Sequence, residues 1–167
     1  MPNWCNNDLQ ITGPKEQIKR FKEKAKGKEI ENIDVDLLLS SIIPPPKDIG
    51  DNWYQWNIEN YGCKWDCNGI LEESMSGEGE LYYTFDSPWS PPLEWLKQAS
   101  AKFPKLKFKL DYREDGMGYM GWAKASKGEI EDHEEPYKHI EGCECDDCIA
   151  EATDDDCLSS NPHKEYQ

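Results

Sequence analysis

The chain is poor in the groups that most enzyme chemistry needs at neutral pH. It has three histidines, His133, His139 and His163, all beyond residue 128. The first 128 residues therefore offer no histidine to activate a nucleophile, and their carboxylates form no pair at a recognisable catalytic spacing. A binding protein is expected in preference to an enzyme. No apolar run approaches the roughly 20 residues that cross a bilayer. The opening Met1-Pro2-Asn3-Trp4 lacks the basic and apolar regions of a secretion signal. These absences point to a soluble, cytoplasmic protein without membrane contact. Positive charge is also scarce: 19 Lys and Arg stand against 34 Asp and Glu, a net charge of −15. That balance excludes the usual phosphate-backbone binder, so no direct nucleic-acid contact is expected.

The charge is unevenly placed. Residues 129–167 hold 14 acidic side chains against 2 lysines, a net of −12, whereas residues 1–128 are close to neutral at −3. This divides the chain into a body, 1–128, and an acidic Cys- and His-containing tail, 129–167. The tail is either a solvated extension or a docking arm for a basic protein surface, such as that of a host defence protein. The seven cysteines, odd in number, read as thiols or metal ligands in a reducing compartment.

Within the body, Cys5 to Thr12 alternate as a first strand, stopped by Gly13-Pro14. A helix follows from Lys15 to about Lys26, with Ile18, Phe21 and Ala25 inward and Gly27 as its stop. An insert occupies about 30–66. In it, Asp36 to Ile43 fits a helical turn or a buried extended segment, and Pro44-Pro45-Pro46 forms a stiff exit. Trp53 to Asp66 is dense in aromatic residues, a short helix ending near Gly62 and then an extended piece. Gly69–Ser76 and Glu80–Asp86 read as a hairpin whose first arm is the weaker, an edge strand. Ser90 caps a second helix that starts at Pro91 and runs to Lys102, with Leu93, Leu96, Ala99 and Phe103 inward. Lys105 to Arg113 is the clearest strand, and Tyr119 to Ala125 returns beside it. The order strand, helix, strand, strand, helix, strand predicts an α+β fold: a ferredoxin-like, split-βαβ antiparallel sheet with two helices on one face. The aromatic insert lies between the first helix and the second strand, and an exposed sheet face or edge offers a homodimer.

Three stretches stand in a recognisable order: MPNWCNNDLQITG, NYGCKWD and PWSPP. Together they resemble the YubB-like family, small proteins with a ferredoxin-like domain found mostly in bacteriophages and plasmids. The resemblance covers roughly Met1 to Ala125 and rests on Asn3, Trp4, Asn6, Gly62, Lys64, Trp65, Asp66, Trp89, Ser90, Pro91 and Pro92. Where the family commonly reads NWGTKWD and AWSPP, this chain has Tyr61, Cys63 and Pro88. The resemblance implies the ferredoxin-like fold without an iron–sulfur cluster, and a mobile-element protein of counter-defence or host takeover. It implies no catalytic activity and does not reach the tail.

Two candidate sites emerge. The first is a polar-aromatic set: Asn3, Trp4, Asn6, Trp56, Lys64, Trp65, Asp66, Trp89 and Arg113. Tryptophan faces stack planar rings, lysine and arginine pair with phosphate, and asparagine reads base or sugar edges, a mixture that suits a small nucleotide-type ligand. The same residues also serve to staple the insert onto the sheet, with Lys64 and Asp66 holding loop backbone. The second is a zinc site in the tail built from Cys143, Cys145, Cys148, Cys157 and His139. It would make the protein a structural one with an ordered tail; a regular zinc fold needs a second paired motif, which the tail lacks. The function expected is a non-enzymatic binding module, set against an acidic protein-binding inhibitor that mimics nucleic acid through the tail.

Overall fold

Strand β1, Trp4–Thr12, sorts its side chains by parity. Cys5, Asn7, Leu9 and Ile11 are buried, while Asn6, Asp8, Gln10 and Thr12 lie on the opposite, wetter face. The computed structural model describes residues 2–28 and 33–136. The proposed zinc ligands His139, Cys143, Cys145, Cys148 and Cys157 lie outside the described residues.

Helix α1, Lys15–Ala25, buries Ile18, Phe21 and Ala25 as its spacing predicts and turns its lysines outward. It ends through an extended Lys26, not through a left-handed glycine. Gly27 instead enters the two-residue strand β2, Gly27–Lys28, where a Cβ would come within 2.8 Å of Leu38. Close approach is what requires glycine there. β2 pairs with β3, Asp34–Val35. The stretch that fits either a helical turn or an extended segment contains both in succession: β4, Leu37–Leu38, then α2, Leu39–Ile42. A turn of 3-10 helix at Gly50–Asn52 leads into α3, Trp53–Asn60, which ends before Gly62 at φ 85°. No residue of α3 is fully buried; Trp53 and Tyr54 are 44% and 48% exposed.

β5, Asn68–Leu71, and β6, Glu80–Pro88, form the expected hairpin. The first arm is shorter than its predicted extent, because residues 72–79 turn. It is also not an edge, since β4 covers it. The second helix, α4, spans Leu93–Lys102 and starts two residues later than Pro91. Ser90 does not cap it. Its hydroxyl donates instead to the Gly62 carbonyl at 2.6 Å, staying with the insert. The reason is local: Trp89 takes φ 70°, which turns the chain before the helix can begin. β7, Lys107–Glu114, and β8, Tyr119–Ser126, follow.

The chain then turns tightly through Lys127 and Gly128, at φ 54° and 81°, into β9, Glu129–Pro136. This two-residue turn with both centres left-handed is the hairpin type whose twist matches paired strands. The sheet therefore continues for eight residues into the segment that charge alone places in the tail. All strand pairings are antiparallel, in the order β4-β5-β6-β1-β7-β8-β9. Its centre, β5-β6-β1-β7, with α1 and α4 as the crossovers, is the ferredoxin-like arrangement.

α1 and α4 cover the dry face. Phe21 is the hub between them, meeting Phe103, Phe108 and Tyr83 edge-on at centroid distances of 5.1, 5.7 and 6.4 Å. Trp95 of α4, absent from the predicted inward set, is fully buried and donates its indole N–H to the Leu39 carbonyl at 3.0 Å. It thus packs the core and ties the insert to it. We expect Trp95→Ala to cost ~3–5 kcal/mol. Trp95→Phe, which keeps a ring and strands one carbonyl, should cost about 1–3 kcal/mol. Urea unfolding of both variants checks the order; equal losses would mean that the indole hydrogen bond, lost in both, carries the effect and that the ring packing Phe retains contributes little.

Candidate functional site

At the end of the sheet where β1 begins, Trp4 and Trp65 meet edge to face, their centroids 5.9 Å apart and their planes at 70°. Trp4 is held by β1, opposite Pro88, and remains 45% exposed. Trp65 comes from the insert, on the loop after Gly62. The two rings stand at one wall of a cleft of about 550 Å³. Its floor includes Asn68, Gly69 and Ile70 of β5, and Thr84 and Phe85 of β6, with Ile70 66% exposed.

The remaining wall is acidic. Asp34, Asp36, Asp66 and Asp86 line the cleft, and no lysine or arginine does among the described residues. Two of these carboxylates hold backbone. Asp66 accepts from the Ser40 amide at 3.1 Å, and Asp36 accepts from the Leu71 amide at 3.1 Å. Asp86 accepts from the Asn6 side chain at 2.6 Å, and Asp34 faces Lys28 at 3.5 Å across an exposed pair. Burial pushes the Asp66 carboxyl up from its ordinary value, against the hydrogen bonds from Ser40.

The predicted residues divide by place. Trp4, Trp65 and Asp66 line the cleft together. Lys64 stands beside it, its ammonium 5.3 Å from the Trp65 ring centre. Asn6 connects to the cleft through Asp86 and accepts from Arg113 at 3.3 Å on the open sheet face. Arg113 is engaged by Asp115 at 2.7 Å, one strand further away. The other three are not in the cleft. Trp56 packs on Tyr61 at 5.1 Å, on the insert helix. The Trp89 backbone N–H donates to the Asn3 carbonyl and its backbone carbonyl accepts from the Tyr119 hydroxyl at 2.8 Å, while its indole stays 47% exposed. The Asn3 side chain lies over Gly116, where a Cβ would touch it. Asn3, Trp56 and Trp89 thus staple segments together. What sequence reading missed were Asp34, Asp36 and Asp86. The alternation Ile33-Asp34-Val35-Asp36-Leu37 carried a usable signal, two carboxylates on one side of an extended stretch.

Beneath Trp65, the Cys63 and Cys67 sulfurs lie 3.9 Å apart, both buried. Contact with the Cys63 thiol, then burial, pushes the Cys67 thiol up. Burial pushes Cys5 up to about 12, which keeps it a thiol at neutral pH. Among the described residues no three His, Cys, Asp or Glu side chains gather as a metal site, and no helix is long and apolar enough to cross a membrane.

Comparison with known proteins gives the family context. A family profile described as the ferredoxin-like domain in Api92-like protein matches residues 61–152. The uncharacterised protein YubB of Escherichia coli (strain K12) is 28% identical over 79 residues, which are 47% of this chain and 54% of YubB. The chain thus spans about half the length of that curated relative. The crystal structure of the protein api92 from Yersinia pseudotuberculosis aligns with a TM-score of 0.63 over 84% of this chain and 99% of that one. At 13% identity this likeness concerns the fold alone.

Two carboxyls make the stability of the domain depend on pH in the sense opposite to acid denaturation. Burial, then the neighbouring Asp111, pushes the Asp8 carboxyl up, as burial does Asp66. Just above the ordinary carboxylate range the folded chain therefore holds protons that the unfolded chain has released. The stabilisation from these groups is full below that range and is lost as pH rises through their raised values. Asp8→Asn and Asp66→Asn should each flatten the loss, the latter keeping an acceptor for Ser40. Urea midpoints taken from pH 3 upward test this; slopes identical to the parent's would remove the assignment.

Proposed function

The chain belongs to the family of Api92-like proteins with a ferredoxin-like domain, and on that premise we propose that it is a non-catalytic binding module whose site is the Trp4–Trp65 cleft. The observation that carries this reading is the pairing of two partly exposed tryptophans with four carboxylates around one cleft of about 550 Å³. A volume of that order suits a small molecule. The ligand is nucleotide-type and enters base first. Its ring stacks on tryptophan, and its exocyclic amines donate to the carboxylates. Its phosphate stays outside, near the Lys64 ammonium, because phosphate placed among four carboxylates would be repelled.

The non-catalytic part of the reading has its own support. Cys5 is held protonated by burial. His133 stacks on Trp122 at 6.0 Å on β8 and β9, the opposite side of the sheet from β5 and the cleft. A place for such a module in counter-defence or host takeover rests on the sequence resemblance.

A second reading is favoured by β9. Its sequence, EIEDHEEP, puts five carboxylates on the outermost strand, so the acidic segment is partly built into the sheet as a ready surface for a basic protein. This reading expects salt-sensitive association that weakens when residues 137–167 are removed and is lost when Glu129, Glu131, Asp132, Glu134 and Glu135 of β9 are also changed to amides. Stopping the chain after Pro136, and not before β9, keeps the sheet whole for that test. Association that survives the truncation and high salt would eliminate the tail as the docking arm.

For the leading reading, native mass spectrometry of the purified chain should show an organic excess of a few hundred daltons, and the same spectrum reads any homodimer. Tryptophan fluorescence titrations with nucleosides and nucleotides follow. Trp65→Ala and Trp4→Ala should each weaken binding about tenfold, ~1.4 kcal/mol, within the range of one stacking contact. Lys64→Ala should weaken nucleotides and leave nucleosides unchanged. Ligand affinity unaltered in folded Trp65→Ala protein would end the proposal.

A further inference from the structure

Cys63 and Cys67 bracket Trp65 at a C-x3-C spacing, and the loop turns both thiols toward one carbonyl. Their sulfurs lie 3.9 Å apart, and each is 3.4 Å from the Trp65 carbonyl oxygen. Both cysteines are free and buried, and Cys67 also lines the cleft. The ligand reading above makes no use of either thiol.

The triangle of two sulfurs and one oxygen has a familiar shape. Tetrahedral zinc holds sulfur at about 2.3 Å and oxygen at about 2.0–2.2 Å. Those lengths place two sulfurs roughly 3.8 Å from each other, and an oxygen roughly 3.6 Å from each sulfur. The observed edges of 3.9, 3.4 and 3.4 Å match one face of such a tetrahedron with little movement. A disulfide fits less well, because its sulfurs must close to about 2.05 Å.

We propose that Cys63, Cys67 and the Trp65 carbonyl form a site for one thiophilic divalent cation, zinc being the natural example. The fourth position is filled by water from the cleft side, the direction in which Cys67 is reached. Charge decides for a dication over a monovalent soft ion such as Cu(I). Two thiols release two protons, and a divalent ion bound by two thiolates is neutral. A monovalent ion would leave a net negative charge in a buried place beside Asp66, at a large desolvation cost. Because protons compete with the ion, affinity rises with pH. The ion would fix the carbonyl of Trp65 and so set the angle of the ring that walls the cleft.

The test uses the full chain, stripped of metal under reducing conditions, with Co(II) as the spectroscopic probe and zinc as competitor. One equivalent of Co(II) should give a sulfur-to-metal charge-transfer band, with two protons released, and zinc should abolish the band. The band should survive when Cys143, Cys145, Cys148 and Cys157 are all changed to serine, and should vanish in Cys63→Ser and in Cys67→Ser. A band lost in the tail variant but kept in Cys63→Ser would place the metal elsewhere and overturn the proposal. So would no uptake at all, or a Cys63–Cys67 disulfide that forms in air at the same rate with and without zinc. Since the serine variants of buried cysteines can lose their fold, the unsubstituted chain supplies an independent readout. Zinc should slow iodoacetamide labelling of Cys63 and Cys67 at least tenfold in peptide mass maps, and equal rates would refute the site.

Discussion

The register of β1 governs most of what the molecule presents. The strand is paired on both sides, with β6 from Trp4 to Thr12 and with β7 from Cys5 to Thr12. A slip by one residue would send Leu9 and Ile11 to water and Asn6 and Asp8 under the helices. In the observed register, Leu9 stands between Tyr83 and Leu110, and Asn6 between Asp86 and Arg113. The dry face therefore has the apolar area on which α1 and α4 close. The open face carries a row of polar side chains that runs from the cleft toward Arg113. Trp4 begins this strand, so the same register that builds the core also places one wall of the candidate site.

The second ring of that wall, Trp65, depends on α4 for its place. The insert buries little through its own helix α3, and the core holds it by hydrogen bonds to its backbone. Trp95 donates to Leu39, Lys102 to Ile42 and Gln98 to Asn60, while Ser90, just before α4, donates to Gly62. Tyr61 adds a bond from inside the insert, its hydroxyl donating to Ile43 at 2.9 Å. These bonds act together with the burial of Leu37, Leu39, Ile42, Ile43 and Tyr61 in the core, so α3 itself need not be buried. That arrangement leaves Trp53, Tyr54 and Trp65 available to solvent or to the cleft. It also explains why Gly62, at φ 85° and with its Cβ position 3.3 Å from the Leu93 and Glu94 amides, sits where the insert meets α4.

Two kinds of group converge on the loop 61–67. Its indole looks into an acidic cleft, and its two thiols point at its own carbonyl beneath. A ligand in the cleft and an ion at the thiols would act on the same residue, one at the Trp65 ring and the other at its carbonyl. The four carboxylates favour hydrogen-bond donors and cations over phosphate inside the cleft, and Lys64 stands outside them beside Trp65.

Local patterning was enough for β1, α1, β6, β7 and β8, because each carries an apolar repeat long enough to name its period and its inward face. It was also enough to set Trp4, Trp65 and Asp66 among the candidates. It failed for β9, whose lone Ile130 among carboxylates reads as tail until the Lys127-Gly128 turn and the Ser100 hydroxyl, accepting from the Gly128 amide, lay it against β8. It failed for Ser90, whose capping chemistry is sound but is spent on Gly62, a residue 28 positions away. And it could not separate Trp65 from Trp56 and Trp89, since all three are tryptophans beside polar neighbours. The periods, most of the turns and the order of elements are legible from neighbouring residues, because they are local properties of the chain. Which of the tryptophans faces a cleft, that four distant carboxylates line it, and that two thiols share one carbonyl emerge on folding, because each depends on which segments the sheet and α4 bring side by side.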